Sequence, residues 1–296
     1  MASLNTILAA TDFSDDGLNA ARRAASLAAE HGARLQLLHV LRADALDELR
    51  DRLRLPVDVR ENLVEDAQRR LNSLADEIGA AAGSRPECVL RTGNVLDELV
   101  AAADHSDLLV LGAHGLRRPR DLLVGTTAER LLLRGRRPML VVRGDAQLRY
   151  RKVLVPVDFS LHSMATLRCA RQIAPTAHLQ VFHAYENPYE GKLWYAGVEQ
   201  DVIEKFRLEA RNQALENLGN LLEKGLPGDA EVSTSIEHGE AKLLIAAEAA
   251  KQGADLIVIG KHGRTPLGEF FLGGATRATV ARASCDVLVV PDHPRL

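Results

Sequence analysis

The sequence predicts an α/β protein built from two tandem, doubly wound domains, each a parallel sheet of five strands with helices on both faces. Three observations lead to this prediction: an internal repeat, short apolar runs that alternate with helical patterns, and glycine-containing turns at the ends of those runs. The runs are apolar throughout rather than alternating, which is typical of strands that are buried on both faces.

The repeat is visible in three pairs of segments that follow one another in the same order. TILAATDFS at 6–14 matches KVLVPVDFS at 152–160, DLLVLGAHG at 107–115 matches DLIVIGKHG at 255–263, and PMLVV at 138–142 matches DVLVV at 286–290. The aspartates of the first pair are 158 − 12 = 146 residues apart, and the first glycines of the second are 260 − 112 = 148 apart. This indicates a duplication. We expect domains at 1–146 and 147–296, with the polar residues 144–151 as the linker.

The first half begins with a strand at 7–10 that ends at Thr11-Asp12. A helix starts at Ser14, because a hydroxyl cap followed by acids is a typical first turn, and stops at Gly32. The same patterns predict the remaining elements of this half: strands at 35–40, 88–92, 108–112 and 139–142, and helices near 58–82, 95–104 and 125–134.

The second half repeats this order. Its predicted strands are at 153–157, 179–184, 231–236, 255–260 and 286–290, and its predicted helices are at 161–173, 198–224, 240–251 and 274–282.

Composition limits the classes of function. Hydrophobic residues make up 46% and charged residues 26%, as in soluble globular proteins, and the net charge of −3 argues against a general nucleic-acid or anionic-membrane binder. The three cysteines, Cys88, Cys169 and Cys285, have no metal-site spacing, so we expect reduced, buried thiols and no metal site. The first residues show no signal peptide and no apolar run is long enough to span a bilayer, so we expect a cytoplasmic protein.

The loops at strand ends are the candidate ligand site, because open parallel sheets bind ligands beyond the carboxyl ends of their strands. Asp12 follows the first strand, and Gly112 and Gly115 follow the fourth. We expect glycine there because it accepts a positive φ and lets a ligand touch the backbone.

A helix start follows each loop. Gly125, Thr126 and Thr127 open the helix of the first half, where backbone N–H groups and the helix dipole favour a phosphate. Arg117, with Arg118 and Arg120, adds guanidinium groups. The second half has Gly260, Gly263, Gly273 and Gly274, with Thr276 two residues later.

Each half has the pattern G-x2-G-x9-G-[ST], or a close variant of it, after a DLxVxG strand, and Asp-Phe-Ser near the start of the domain. This combination resembles the universal stress protein family. The resemblance covers essentially the whole chain, as two copies of the domain. The resemblance implies the strand order 3-2-1-4-5 and a dimer formed through fifth strands. In this chain the two halves would pair in the same way through their last strands, 139–142 and 286–290, and form an internal pseudo-dimer. Association of two chains into a homodimer stays open. The resemblance also implies ATP as the ligand, as in one branch of the family, with or without Mg²⁺.

Carried over position by position, the resemblance gives each residue a role. Asp12 and the backbone of Val40 would meet adenine, Gly112 would lie under the ribose, and Gly115, Gly125, Thr126 and Thr127 would hold phosphates. The matching positions of the second half are Asp158, Ala184, Gly260, Gly263, Gly273, Gly274 and Ala275. Gly274 departs from the family pattern because it has no hydroxyl.

Several residues have simpler interpretations. Asp12 and Asp158 can also serve only to hold the first turn of a helix, and the arginines at 117–120 can be a solvated surface run. His114 and His262 have no carboxylate or nucleophile at a recognisable spacing, so we interpret them as loop or packing residues, and His39 and His183 as structural. The aromatic segment 185–195 either packs on its own domain or covers a ligand or partner.

The sequence therefore favours an ATP-binding regulatory protein of the stress response, read by an unknown protein partner. No GxxxxGK[ST] loop, acid pair for Mg²⁺ or nucleophile–base pair points to a dedicated enzyme. A slow ATPase, and a scaffold or binder of another small molecule, remain the alternatives.

Overall fold

The computed structural model describes residues 4–42, 58–115, 125–144, 146, 149–186, 195–196, 198–228, 231–263 and 271–292. Within these ranges the first half contains five strands and four helices in alternation. Their bounds are β1 Thr6–Ala10, α1 Asp15–His31, β2 Arg34–Leu41, α2 Asp58–Ala82, β3 Glu87–Thr92, α3 Val95–Ala103, β4 Leu108–Gly112, α4 Thr126–Arg134 and β5 Met139–Val142.

The described part of the second half repeats this order. Its elements are β6 Lys152–Pro156, α5 Ser163–Ile173, β7 His178–Tyr185, α6 Gln200–Gly225, β8 Val232–His238, α7 Ala241–Gln252, β9 Leu256–Gly260, α8 Gly274–Arg282 and β10 Asp286–Val290. The predicted elements are confirmed, with ends that differ by one or two residues.

All ten strands form one sheet in the order β3-β2-β1-β4-β5-β10-β9-β6-β7-β8. Each half thus has the order that the resemblance implies. The pairs inside a half are parallel, whereas β5 and β10 pair antiparallel, with Leu140 opposite Leu288. The predicted pairing of the two last strands is present, and it makes the sheet continuous.

Helices cover both faces of the sheet, because successive strand residues point to opposite sides. Ile7 and Ala9 of β1 pack in a core with α1, α2, α5 and α6, whereas Leu8 packs in a second core with α3, α4, α7 and α8. No helix of the described ranges is long and apolar enough to cross a membrane.

The first helix shows why the local prediction succeeds. The Ser14 hydroxyl accepts the N–H of Gly17 at 3.1 Å, which caps the first turn. Gly32 ends the helix with φ 65°, a left-handed conformation that favours glycine.

The three cysteines are free thiols, as expected, but only two of them are buried. Burial raises the pKa of Cys169 and of Cys285 to about 12, so both are protonated at neutral pH. Cys88 is half-buried, which corrects the prediction for that residue.

Candidate functional site

Each half has a cleft at the point where the strand order reverses, beyond the carboxyl ends of its first and fourth strands. The first cleft, about 460 Å³, is lined by six of the residues predicted for this half: Asp12, Val40, Gly112, Gly115, Gly125 and Thr127. The second cleft, about 150 Å³, is lined by all seven predicted residues: Asp158, Ala184, Gly260, Gly263, Gly273, Gly274 and Ala275. The fold therefore brings the described members of each set together.

Two predicted positions of the first half need separate comment. Arg117, with Arg118 and Arg120, lies outside the described residues, so its role stays a prediction. The backbone of Thr126 begins α4, as the sequence predicts.

A strained turn presents each cleft aspartate. Phe13 and Phe159, which follow Asp12 and Asp158, have φ values of 61° and 62°. A left-handed phenylalanine costs of order 1–3 kcal/mol and persists only where its surroundings fix it. The same strain occurs in both halves, so the contacts around each turn fix its conformation and with it the direction of the preceding aspartate.

A histidine holds each strained phenylalanine in place. The ring of Phe13 lies 4.4 Å from that of His39, and Phe159 lies 4.2 Å from His183. Nδ1 of His39 is 2.8 Å from the carbonyl oxygen of Thr11, just ahead of the turn, and His183 repeats this contact at 2.7 Å. These contacts agree with the structural interpretation of both histidines, although His39 also lines the first cleft.

The two oxygens of the Asp12 carboxylate face different groups. Oδ1 accepts the backbone N–H of Ser14 at 3.0 Å, which supports the helix start. Oδ2 faces Gly115, where an added Cβ would lie only 2.6 Å away. In the second half Oδ1 of Asp158 accepts the N–H of Ser160, and Oδ2 faces Gly263. One oxygen therefore supports the turn, and the other points across the cleft to the glycine loop.

The reason given for the loop glycines needs correction. None of the glycines that line the clefts has a positive φ. Instead, the chain's own atoms approach them closely: an added Cβ on Gly112 would lie 2.6 Å from the Asp16 carbonyl oxygen. Packing of β4 against the α1 backbone therefore requires glycine at 112, whereas a side chain at 115 would have to displace the Asp12 carboxylate. Gly274 is the exception, since nothing lies within 4 Å of an added Cβ.

The helix starts also differ from the expectation in one respect. The Gly125 N–H donates to the Ala113 carbonyl at 2.9 Å, and Gly273 N–H donates to Lys261 at 3.0 Å, so these two amides serve the loop itself. The next three amides of each helix, beginning at Thr126 and Gly274, have no acceptor within the helix. Among the described residues, no side chain caps either helix. An anion at this end would find those amides and the positive end of the helix dipole.

The backbone of Val40 faces the first cleft. The Thr11 N–H donates to the Leu38 carbonyl at 2.9 Å, and this is the last backbone hydrogen bond between the β1 side and β2. The Leu41 carbonyl lies on the other side of β2, where it accepts the Gly93 N–H just after β3. Because successive residues of a strand bond to alternate sides, Val40 points its N–H and C=O beyond the end of β1. It offers a donor and an acceptor to the edge of a planar ring.

Both loop histidines have carboxylate partners, which corrects the sequence interpretation. Nδ1 of His114 lies 2.9 Å from Oδ2 of Asp16, and Nδ1 of His262 lies 2.6 Å from Oδ2 of Asp292. The partners stand 98 and 30 residues away in the sequence, and they come from different elements, so no spacing rule could reveal them.

One hydroxyl of the second cleft serves the fold, and the described acidic groups do not cluster into a metal site. The Thr276 hydroxyl donates to the Gly260 carbonyl at 2.7 Å and so serves the fold. Over the described ranges, no three histidine, cysteine or acidic side chains form a group that could hold a metal ion.

Sequence reasoning missed part of the lining. Arg42 and Thr11 line the first cleft, together with aliphatic residues such as Leu99 and Leu131. Arg42 follows the end of β2, so its place beyond a strand end was the available signal. The aliphatic residues looked like ordinary core, because one stripe of a helix can serve both the core and a cleft.

Comparisons with known proteins agree with this architecture. The profile of the "Universal stress protein family" matches residues 4–143 and again 149–291. A universal stress protein of Mycolicibacterium smegmatis is 26% identical over 298 residues, covering 96% of each chain. The universal stress protein YxiE of Bacillus subtilis is 28% identical over 146 residues, covering 48% of this chain and 99% of its own. A crystal structure of a universal stress protein from Archaeoglobus fulgidus has a TM-score of 0.70 at 19% identity, covering 98% of this chain and 99% of its own.

Proposed function

The chain belongs to the universal stress protein family, with two copies of its domain, and from this premise we propose that it binds an adenine nucleotide, ATP, in the first cleft. The nucleotide-bound form would act as a regulatory state in the stress response, read by a protein partner. Such regulation needs only a difference in the partner's affinity for the two states.

The observation that supports this proposal best is the convergence of three kinds of group on one cleft. The amides at the start of α4 and the loop at Gly115 suit phosphates, the Val40 backbone suits the edge of a base, and the Asp12 carboxylate suits an exocyclic amino group. The cleft volume of about 460 Å³ lies within the usual range for small-molecule sites, roughly 300–1,000 Å³. Arg42 adds a positive charge to the lining.

Thermal unfolding tests the proposal. ATP at a hundred times its Kd would stabilise the folded chain by about 2.7 kcal/mol, which raises Tm by several degrees. Gly115→Val should remove this rise, because the new side chain would collide with the Asp12 carboxylate. Gly219→Val is the matched control, since Gly219 is exposed on α6 and has nothing within 4 Å of an added Cβ. An unchanged ATP response in Gly115→Val would exclude the first cleft as the site.

Slow hydrolysis of ATP is a second candidate, and one observation favours it. His114 stands in the glycine loop with its Nδ1 2.9 Å from Oδ2 of Asp16, and a carboxylate partner of this kind fixes the orientation of an imidazole that acts as a general base. Steady turnover of ATP that His114→Ala abolishes, with ATP affinity retained, would support an enzyme. Nucleotide binding without turnover would leave the regulatory proposal alone.

A further inference from the structure

We propose that the chain binds one nucleotide rather than two, and that the buried floor of the second cleft excludes the other. The inference deepens the proposed function and rests on it, since it concerns which of two related clefts accepts the same ligand. The second cleft, about 150 Å³, falls below the usual size of a small-molecule site, whereas the first, about 460 Å³, lies within it.

Four matched positions account for the smaller volume of the second cleft, and at each the second half has the bulkier residue. Equivalent hydrogen bonds and helix starts establish which positions match. The Thr11 N–H donates to the Leu38 carbonyl, and the Val157 N–H donates in the same way to Phe182, so Thr11 matches Val157 and Leu38 matches Phe182. Gly125 matches Gly273, because each directly precedes its helix, α4 or α8. The four pairs are Gly17 and Ser163, Ala20 and Thr166, Leu38 and Phe182, and Ala128 and Thr276. All eight are buried, and the four of the second half line its cleft.

Hydrogen bonds fix three of the bulkier side chains. The hydroxyl of Thr276 donates to the Gly260 carbonyl at 2.7 Å, that of Thr166 to the His162 carbonyl at 3.0 Å, and that of Ser163 to Oδ1 of Asp158 at 3.0 Å. Moving any of them aside would leave a buried polar group unpaired, at a cost of about 1–3 kcal/mol. The floor therefore does not yield to a ligand at low cost.

Three matched positions change in the opposite direction. Val40, Val95 and Thr127 are replaced by Ala184, Ala241 and Ala275. These smaller residues are partly exposed, so they widen the mouth of the second cleft without deepening it.

The charges and donors of the second half also suit a polyanion less well. Arg42 lines the first cleft, whereas the exposed Glu186 stands at the matching position and does not line the second cleft. The described lining of the second cleft therefore lacks the guanidinium that the first one has. Thr126 and Thr127 at the start of α4 correspond to Gly274 and Ala275, which lack hydroxyls. Size, charge and hydrogen-bonding capacity thus all favour the first cleft.

Isothermal titration of the full chain with ATP tests the inference. The wild type should bind one equivalent. The variant Ser163→Gly/Thr166→Ala/Phe182→Leu/Thr276→Ala gives the second cleft the floor of the first and should add a second binding event. Leu38→Phe/Ala128→Thr gives the first cleft the floor of the second and should weaken the single event at least tenfold.

Leu37→Phe is the matched control for overpacking, because Leu37 is equally buried but packs on the other face of the sheet. It should keep one equivalent at wild-type affinity. If the fourfold variant does not fold, as judged by its melting curve, the Leu38→Phe/Ala128→Thr variant decides the question. Wild-type binding of two equal equivalents, or full affinity in that double variant, would overturn the inference and leave the proposed function intact. Wild-type protein that binds no ATP would instead overturn the proposed function.

Discussion

Asp12 and His39 show how single residues prepare the first cleft. The Asp12 carboxylate supports its own turn with one oxygen and faces the glycine loop with the other, while His39 holds the strained Phe13 beside it. The guanidinium of Arg70 covers Phe13 as well, 4.4 Å from the ring centroid. The carboxylate is thus positioned by groups from β2 and α2, which limits its freedom before a ligand arrives.

The first prediction concerns the pH dependence of stability. Burial lowers the pKa of His39, and this effect outweighs the opposing hydrogen bond to Thr11. The unfolded chain, with an ordinary histidine pKa of about 6.5, therefore binds the proton first as the pH falls. The contribution of His39 to the free energy of unfolding is therefore fully present above about pH 6.5 and should be lost as the pH falls below this value. In His39→Gln, the free energy of unfolding from urea titrations should depend less on pH between 7 and 5.

His105→Gln is the control for this series, because His105 is exposed on the surface. It should leave the pH profile unchanged. A profile of His39→Gln that still matches the wild type would contradict the assignment of a half-buried imidazole whose pKa is lowered in the folded chain.

At the scale of elements, α4 and its loop position the amides of the candidate site, and α1 supplies the close packing around them. The backbone of α1 passes so near Gly112 that no side chain fits there. The carboxylate of Asp16 on α1 also accepts the His114 N–H at 3.0 Å, which ties the glycine loop to the helix. Displacement of α1 would therefore disturb the candidate site before it disturbed the sheet.

A second prediction separates the two uses of glycine in helices. Gly219 lies on an exposed part of α6 with open space around it, so Gly219→Ala should raise the free energy of unfolding by about 0.5–1 kcal/mol. Gly32→Ala at the end of α1 also meets nothing within 4 Å, yet φ is 65°, so it should lower stability by about 1–2 kcal/mol. Denaturant titrations of both variants measure the difference, and changes of the same sign would contradict this account.

The elements were predictable because their signals are local. Ser14 and Gly32 delimit α1 through caps that are recognisable in the sequence. Because the sequence is duplicated, each predicted strand of one half could be compared with its counterpart in the other. The environment of Gly112 and the partner of His114 were not predictable, since both depend on Asp16, which is 96 to 98 residues away. The left-handed Phe13 was missed because phenylalanine carries no local preference for that conformation.

At the scale of the whole molecule, buried polar groups join the two halves where β5 meets β10. The fully buried Asp286 accepts the N–H groups of Arg143 and Gly144 at 2.7 Å each and the Tyr150 hydroxyl at 2.6 Å. It also forms a buried ion pair with Arg23 of α1 at 3.1 Å. The predicted linker 144–151 is thus fixed to the sheet at Gly144 and Tyr150, which its polar composition did not show.

A cationic side chain from each half also binds the carboxyl end of a helix in the other half. The ammonium of Lys261, which stands where the first half has Ala113, donates to the carbonyls of Leu133 and Gly135 at the end of α4. The Arg143 guanidinium donates to the Val280 carbonyl of α8 at 2.7 Å. A positive charge at the carboxyl end of a helix is favourable, so both contacts stabilise the pseudo-dimer.

The third prediction tests the buried cluster. Asp286→Asn should lower the free energy of unfolding by about 3–5 kcal/mol, because it leaves Arg23 charged and buried without its partner. Asp76→Asn is the matched control: its ion pair with Arg85 is exposed to solvent, which screens the attraction, so its loss should change the free energy of unfolding far less. Calorimetric unfolding of both variants measures the contrast, and equal costs would show that the cluster does not hold the halves together.

A crystal structure of the chain grown with saturating ATP tests the central claim most directly. The account predicts a nucleotide in the first cleft, with phosphate oxygens within hydrogen-bond distance of the amides of Gly115 and the start of α4. Its base would lie beside Asp12 and the backbone of Val40. Nucleotide bound elsewhere on the chain, or a first cleft that holds none under these conditions, would contradict it.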